Sequence, residues 1–322
     1  MDEADRARGP GIRVPAALAA SLGDLFGDAG RAWSAALPAL AARRMAAWEL
    51  RPDGPAAHGL VALVLPVRRT DGTAAVLKLQ RVDEETRQEP TALRAWAGAG
   101  AVRLLDHEPA SGAMLLERLD ARRSLLTVVD GTAALETLAG LLARLCAAPA
   151  PEGLRTLADL AAGMLRRTPP ALAALADPAD RRLLASCAAA VRELLGEPGD
   201  RLLHWDLHYG NVLAVPEEGP APEAPARPTR WLSIDPKPLA GDPGFELLPA
   251  LHNRWEEVVA SGDVPRAVRR RFDLLTEVLG LDRDRAAGWT LGRVLQNALW
   301  DVGEGAPALR PAQRAIAHAL LE

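Results

Sequence analysis

A short segment near residue 206 carries an aspartate and an asparagine five positions apart, directly before an apolar run. The segment reads Leu203-His204-Trp205-Asp206-Leu207-His208-Tyr209-Gly210-Asn211-Val212-Leu213. Such an aspartate can orient and deprotonate a substrate hydroxyl, and the carbonyl oxygen of such an asparagine can hold Mg²⁺. A second carboxylate, Asp235, follows another apolar run and is expected to share that metal with Asn211. The pattern is typical of phosphoryl transfer to a hydroxyl group.

Lysine is scarce in this chain, which uses arginine at nearly every other basic position. The two lysines are Lys78 and Lys237. Lys78 lies in an apolar run at 74–79, where a compact ammonium on a flexible stem can reach the α- and β-phosphates of a nucleotide. A lone lysine on a strand face is the alternative interpretation.

An acidic segment follows Lys78 and is predicted to become a helix after a turn. Glu89 comes eleven positions after Lys78 (89 − 78), and kinases pair such a strand lysine with a glutamate on a helix. Glu85 shares the helix face with Glu89, so either carboxylate could be the partner, and Pro90 is tolerated only in a first helical turn. We favour Glu89; a solvated acidic helix start is the alternative.

The phosphates of a nucleotide need a backbone cradle, and the sequence offers a glycine-poor one. No G-x-x-x-x-G-K-[ST] motif occurs, which excludes a P-loop enzyme. The turn from Gly54 to Gly59, between two strands, is the predicted cradle. Farther along, the run 113–119 predicts a strand leading into a hinge, where backbone groups from Glu117 to Leu119 would pair with adenine.

The order of these motifs resembles the aminoglycoside phosphotransferases, and within them the group of streptomycin 6-kinases and hydroxyurea kinases. The likeness covers nearly the whole chain. It is carried by Lys78, Glu89, Leu115-Leu116-Glu117-Arg118-Leu119, His204-x-Asp206-x-x-x-x-Asn211, Ile234-Asp235-Pro236, Gly241-Asp242-Pro243-Gly244-Phe245 and Gly288-Trp289-Thr290-Leu291. The resemblance implies an α+β, protein-kinase-like fold with two lobes. It also implies transfer of the ATP γ-phosphoryl group to the 6-hydroxyl of the streptidine ring of streptomycin, giving antibiotic resistance; a related kinase acting on hydroxyurea or another hydroxylated compound is the alternative.

The resemblance implies a role for each matching residue. Asp206 is the catalytic base or the group that orients the hydroxyl, and Asn211 and Asp235 hold Mg²⁺. Lys78 binds the phosphates of ATP, and Glu89 positions Lys78.

Two further positions bear on the catalytic loop. Glu246 falls where related kinases have an acid that braces this loop, so it is interpreted as scaffold. Asp235 is followed by Pro236-Lys237 rather than by the Phe-Gly of protein kinases, so a mobile metal-loop switch of that sort is not expected.

The catalytic segment also permits a different interpretation. His204, Asp206 and His208 alternate along the chain, which would place two imidazoles and a carboxylate on one face of an extended strand. A metal-dependent hydrolase or a binding protein could hold its ion in this way. That hypothesis leaves Lys78, Asn211 and Asp235 without a role.

Substrate choice is expected to come from the helical C-terminal part, where acids and aromatics cluster. Carboxylates and aromatic faces match the guanidinium groups of a cationic aminocyclitol such as streptomycin. We expect Asp301 and Glu304 to bind these groups, with Trp300 and His252 in the same pocket. The alternative is a helix with one polar face in water, because positions 300, 301 and 304 recur at helical spacing.

The elements that must position these residues divide into two predicted lobes. Residues 1–120 form an N-terminal nucleotide-binding lobe, with a helical leader before an antiparallel sheet, and residues 121–322 form a larger, mainly helical catalytic and substrate lobe. The leader is predicted as helix from Ala16 to Trp48, broken at Pro38. The proline-rich stretch 216–230 is predicted to loop out.

Composition agrees with an intracellular enzyme. A chain of 322 residues with a formal net charge of −4 suits a cationic substrate and argues against a nucleic-acid or anionic-membrane partner. The acidic N-terminus is unlike a secretory leader, and no apolar run approaches the roughly 20 residues of a membrane helix, so we expect the protein in the cytoplasm. Cys146 and Cys187 are expected to be buried small hydrophobes rather than a disulfide. The oligomeric state is left open.

Overall fold

The computed structural model describes residues 12–216 and 230–322. Contacts between residues divide the chain into two compact units. Of the described residues, unit 1 contains 12–98, 102–119 and 215–216, and unit 2 contains 99–101, 120–214 and 230–322. The predicted loop at 216–230 lies outside the described residues, apart from its first and last residue.

Unit 1 is built on an antiparallel sheet. Its strands are β1 (Arg51–Pro52), β2 (Ala57–His58), β3 (Ala62–Arg68), β4 (Ala74–Gln80), β5 (Leu104–Glu108) and β6 (Ala113–Glu117). They are ordered β1-β3-β4-β6-β5, and β2 also pairs with β3. β4 is a central strand, in which Lys78 is paired with Val64 on one side and Met114 on the other. Ladders on both sides give Lys78 a rigid support.

A long helical element, α1 (Ala16–Ala47), precedes the sheet and shares its hydrophobic core. The predicted break at Pro38 is wrong. Pro38 lies inside the helix, and the backbone instead leaves helical geometry at Gly27, with φ 58° and ψ −135°. Glycine reaches positive φ at little steric cost, so the chain turns there. After the turn the backbone packs so closely that a Cβ on Gly30 would lie 1.9 Å from the carbonyl oxygen of Leu22.

Unit 2 is mainly helical, with short strands at the catalytic segment. Its helices are α3 (Gly131–Cys146), α4 (Leu157–Ala174), α5 (Pro178–Leu194), α6 (Leu247–His252), α7 (Trp255–Ala260), α8 (Val264–Leu279), α9 (Arg283–Gly303) and α10 (Pro311–Leu321), and α2 (Glu89–Trp96) belongs to unit 1. Its strands are β7 (Asp120–Ser124), β8 (Arg201–Leu203), β9 (Val212–Ala214), β10 (Trp231–Ser233) and β11 (Leu239–Gly241). They form two sheets, β10-β9-β7 and β11-β8. The catalytic segment 204–211 is therefore held by a paired strand at each end.

The helices of unit 2 carry both cysteines. Cys146 ends α3 and Cys187 lies in α5, and both are free and buried, which confirms the sequence prediction. Burial raises the pKa of Cys187 to about 12, so its thiol stays protonated. Within residues 12–216 and 230–322, no helix is long and apolar enough to cross a membrane.

Candidate active site

In unit 1, Lys78 and Glu89 form a buried ion pair. The Lys78 Nζ lies 2.8 Å from Glu89 Oε1 and 2.9 Å from Oε2. The two side chains are only 7% and 1% exposed. Gln80 also donates from Nε2 to Glu89 Oε2. A buried ion pair is tolerated when further hydrogen bonds satisfy its charged groups, and Glu89 receives donors at both oxygens. Lys78 is thereby held in one orientation.

The start of α2 explains why Glu89 is the partner of Lys78. The helix begins at Glu89, with Pro90 in the first turn, where a proline removes no helical hydrogen bond. The partial positive charge of a helix N-terminus also favours a carboxylate at this place. Glu85 lies in the preceding turn, where its N–H donates to Asp83 Oδ1 at 2.9 Å. Of the two glutamates left open by the sequence, the structure brings Glu89 to the lysine.

The predicted turn from Gly54 to Gly59 has the wrong bounds, because residues 57–58 form strand β2 and the tight turn between β2 and β3 covers residues 59–61. The N–H of Gly59 closes it by donating to the Ala62 carbonyl at 3.0 Å. The Ser21 Oγ of α1 donates to the Leu60 carbonyl at 2.7 Å, while the Leu60 side chain is 71% exposed. Ser21 therefore connects α1 to the tip of the turn, a contact that no local sequence pattern indicates.

The end of β6 differs from the predicted hinge in one respect. The N–H of Glu117 donates to the Arg103 carbonyl at 3.0 Å, and the Arg103 N–H donates to Glu117 Oε1 at 2.7 Å. The Glu117 N–H is therefore used within the chain itself, and the pairing of backbone groups from Glu117 to Leu119 with adenine stays a prediction. Leu119 is buried, and its contact with adenine stays a prediction.

In unit 2, Asp206 and Asn211 are joined by a compact set of hydrogen bonds. The Asn211 Nδ2 donates to the Asp206 carbonyl at 2.9 Å. The His208 N–H donates to the same carbonyl at 3.1 Å, and the Asn211 N–H donates to the His208 carbonyl at 2.9 Å. The segment closes in a 3-10 turn at Tyr209–Asn211 before β9 begins. These bonds fix the spacing of aspartate and asparagine that the motif predicts.

The pairing of β9 with β10 sets the positions of Asn211, which precedes β9, and Asp235, which follows β10. Val212 lies opposite Ser233, and the Ile234 N–H donates to the Asn211 carbonyl at 2.9 Å. Because the Asn211 amide nitrogen is used on Asp206, its oxygen is the end left for a cation. Asp235 has a positive φ of 58°, a conformation uncommon outside glycine that is often found at functional sites. Amide and carboxylate oxygens are the ligands that Mg²⁺ prefers, so these donors fit that ion.

The imidazoles of this segment have structural partners. The His204 ring is buried, with Nε2 3.0 Å from the Ile234 carbonyl oxygen, and burial lowers the pKa of His204 to about 4. His208 Nδ1 accepts from the Gly210 N–H at 3.0 Å. Across residues 12–216 and 230–322, no group of three or more His, Cys, Asp and Glu residues is placed to hold a metal. The geometry therefore does not support the interpretation of this segment as a two-histidine metal site.

The side chain of Glu246 supports the catalytic loop by binding its backbone. Its Oε1 accepts from the Trp205 N–H at 2.6 Å, and the carboxylate is 1% exposed. Trp205 itself has a positive φ of 64°, which is costly for a large side chain. The indole of Trp205 is held by the guanidinium groups of Arg155 and Arg293, 4.6 and 5.2 Å from its centroid. These contacts stabilise the strained residue immediately before Asp206.

The burial of Glu246 predicts a measurable pH effect. Burial raises the pKa of this carboxyl from 4.5 to about 7. Between pH ~4.5 and ~7 the carboxyl is protonated in the folded protein but ionised in the unfolded chain. Its contribution to the free energy of unfolding therefore falls as the pH rises through this range. Glu246→Gln removes this pH-dependent contribution to stability. Relative to wild type, the variant should gain about 2 kcal/mol in free energy of unfolding between pH ~5 and ~7, measured by urea unfolding. If the free energies of unfolding of the two proteins changed in the same way with pH, the raised pKa of Glu246 would be contradicted.

Lys237, the second lysine, received no role from the sequence. Its Nζ lies 3.1 Å from Asp206 Oδ2, and its N–H donates to the His204 carbonyl at 3.0 Å. The scarcity of lysine was the signal that could have identified it.

The predicted substrate carboxylates differ in their surroundings. Asp301 is buried and pairs with the guanidinium of Arg310, whose side chain is 64% exposed. A guanidinium of the chain itself thus occupies Asp301, and it would have to leave before a substrate guanidinium could bind there. Glu304 is exposed and caps the end of α9.

The predicted substrate aromatics lie on both α9 and α6. Trp300 is 38% exposed, and its ring stacks on Trp205 with centroids 6.1 Å apart. It is therefore next to the catalytic loop. His252 is exposed and stacks on Trp255 with centroids 6.0 Å apart. Trp300 is the better placed of the two aromatics for contact with a substrate at Asp206.

Comparison with known proteins decides the family. The model of the family described as aminoglycoside/hydroxyurea antibiotic resistance kinase matches residues 47–305. The protein belongs to this family. Its resemblance to the aminoglycoside phosphotransferases is thereby confirmed, and this resistance kinase is an ATP-dependent phosphotransferase.

Two relatives of this resistance kinase match along nearly its whole length. The streptomycin 6-kinase of Streptomyces glaucescens is 62% identical over 309 residues, covering 96% of this chain and 97% of that protein. The hydroxyurea phosphotransferase of Kitasatospora aureofaciens is 53% identical over 312 residues, covering 96% of this chain and 86% of that protein.

The fold of the resistance kinase recurs in a solved structure. The aminoglycoside phosphotransferase APH(4)-Ia is 15% identical, with a TM-score of 0.56 over 88% of this chain and 98% of that one. At this identity the likeness concerns the fold alone. The predicted kinase-like α+β fold, with an antiparallel sheet before a helical part, is confirmed.

Proposed function

We propose that this protein is a streptomycin 6-phosphotransferase, which transfers the γ-phosphoryl group of ATP to the 6-hydroxyl of the streptidine ring and so inactivates the antibiotic. The observation that carries the proposal is the 62% identity to a streptomycin 6-kinase over 96% of the chain. The Asp206, Asn211 and Asp235 arrangement supplies the groups that such a transfer needs.

Asp206 is the proposed base of the reaction. Its carboxylate accepts the proton of the streptidine hydroxyl while the hydroxyl oxygen forms a bond to the γ-phosphorus. The bond from that phosphorus to the β,γ-bridging oxygen breaks, and ADP leaves. Asn211 and Asp235 would hold Mg²⁺, which when bound neutralises charge on the β- and γ-phosphates.

Lys78 is the proposed phosphate ligand of unit 1. Its ammonium is kept in place by both oxygens of Glu89 and can donate to the α- and β-phosphates of ATP. The backbone from Glu117 to Leu119 is the proposed contact with adenine. Glu246 is proposed as scaffold, acting through the N–H of Trp205.

Mutation of Asp301 and of Glu304, the two carboxylates at the end of α9, is expected to have different effects. Glu304→Gln should raise the KM for streptomycin about fivefold, because an exposed carboxylate contributes about 1 kcal/mol to binding a guanidinium. Asp301→Asn should instead lower the melting temperature, because it breaks the pair with Arg310. Steady-state kinetics and thermal unfolding of both variants test this division. If Asp301→Asn raised the KM for streptomycin and left the melting temperature unchanged, Asp301 would be a substrate ligand rather than a structural residue.

The test of the function is phosphorylation of a small panel with Mg²⁺ and ATP. The panel contains streptomycin, dihydrostreptomycin, kanamycin, spectinomycin and hydroxyurea, and NMR locates the phosphate in each product. We expect phosphate on the streptidine 6-hydroxyl and no reaction with kanamycin. Transfer to hydroxyurea alone would favour the second candidate function, which the 53% identity to a hydroxyurea phosphotransferase keeps in view.

A further inference from the structure

We propose that Lys237 is a positioning residue for the transfer step, which holds the Asp206 carboxylate through Oδ2 so that Oδ1 faces the acceptor hydroxyl. The inference rests on the proposed phosphotransfer, because it gives Lys237 a task only where Asp206 accepts a proton. It adds a residue to the reaction that neither the catalytic motif nor the metal ligands include.

The main chain fixes Lys237 beside the catalytic loop. Its N–H donates to the His204 carbonyl at 3.0 Å, and two residues later Leu239 pairs with Leu203 where β11 meets β8. The segment 237–239 therefore runs along the residues that lead into Asp206. A lysine anchored in this way has less freedom than one on an open surface, so its ammonium is kept within reach of the Asp206 carboxylate.

The side chain of Lys237 contacts one oxygen of the base. The Nζ is 3.1 Å from Asp206 Oδ2, and the two side chains are 36% and 27% exposed. A carboxylate held at one oxygen keeps one defined orientation, while its second oxygen can accept from another donor. The proton of the streptidine hydroxyl is thus assigned to Oδ1.

The residue type suits this task better than arginine would. An ammonium is a compact point charge, whereas a guanidinium presents a planar fork that engages both oxygens of a carboxylate. An arginine at position 237 would compete with the hydroxyl for Oδ1. This accounts for a lysine in a chain that has one other, Lys78.

The segment after β10 serves both parts of the catalytic centre. Asp235, the proposed metal ligand, and Lys237 are separated by Pro236, and the positive φ of Asp235 turns the chain between them. Asp235 follows Ile234, which is bonded to Asn211, whereas Lys237 is bonded to Asp206. One short segment therefore places the metal ligand and the base relative to each other.

The first test is a double-mutant cycle with streptomycin as substrate. Lys237→Met should lower kcat roughly thirtyfold, because small errors in the position of a base cost that much, with both KM values changed less than about threefold. In an Asp206→Asn background, the same change should cost less than about threefold, because Lys237 acts through the missing carboxylate. A loss in that background as large as in wild type would overturn the proposal.

The second test restores the ammonium. Lys237→Cys should lose activity like Lys237→Met, and alkylation with 2-bromoethylamine should return most of it by forming S-aminoethylcysteine. The native cysteines are 6% and 0% exposed, so the reagent is directed to position 237. Lys237→Arg should stay well below wild type despite its charge. No recovery on alkylation, or full activity in Lys237→Arg, would contradict a monodentate contact.

A matched control removes a cation elsewhere in unit 2. Arg283→Met breaks an exposed ion pair with Asp273, 2.9 Å long, and should leave kcat unchanged. Melting temperatures identify variants that fail to fold. If the wild-type protein does not phosphorylate streptomycin, the proposed function fails; if it does and Lys237 behaves additively with Asp206, only the role of Lys237 fails.

Discussion

Asp206→Asn is expected to lower kcat for streptomycin phosphorylation about a thousandfold, the usual contribution of a positioned base. The amide keeps the shape of the carboxylate but cannot accept the proton of the hydroxyl, and it also loses the charge that attracts Lys237. The Asp206 main-chain carbonyl still receives Asn211 Nδ2, so the loop keeps its form. Affinity for ATP, measured by calorimetric titration, should therefore stay within about twofold.

The control for this variant is Asp200→Asn. Asp200 immediately precedes β8 and its side chain is 89% exposed, so the same chemical change is made in the same unit without touching the catalytic loop. We expect near-normal kcat there. Near-normal turnover in Asp206→Asn would remove the base from the mechanism, and a comparable loss in both variants would point to a general effect on folding.

Local spacing predicted the geometry of the segment 204–211, because the residues that contact each other there are close together in the sequence. Asp206 and Asn211 are five positions apart, and a strand pair at each end leaves few ways to connect them. The spacing from Lys78 to Glu89 worked for the same reason, since a strand followed by a turn and a helix brings them together. In both cases the chain between the partners is short.

Side-chain contacts that depend on tertiary packing could not be predicted from the sequence. Arg310 pairs with Asp301 across the end of α9, and no pattern marks one exposed arginine among many as the partner of a buried acid. The contact from Ser21 to Leu60 spans 39 positions. Propensity predicts the break in α1 at Pro38, whereas the backbone turns at Gly27, where glycine allows a positive φ, and packs closely at Gly30 after the turn.

Lys78→Met is expected to lower kcat/KM for ATP about a hundredfold, the typical cost of losing one charged donor at a transferring group. The variant also leaves Glu89 buried without its cation, which costs roughly 3–5 kcal/mol of stability. Activity and folding are thus changed together. A second variant, Lys78→Met with Glu89→Gln, separates them because it removes both charges, and Gln80 remains as a neighbour for the new amide.

In the double variant the free energy of unfolding should recover most of what Lys78→Met loses, because replacing both members of a buried ion pair is often nearly neutral. The kcat/KM for ATP should stay about a hundredfold below wild type, since the phosphate donor is still missing. Denaturant unfolding and steady-state kinetics on the three proteins measure the two effects. If kcat/KM recovered together with stability, the Lys78–Glu89 pair would be a structural element of the sheet rather than the anchor of the nucleotide phosphates.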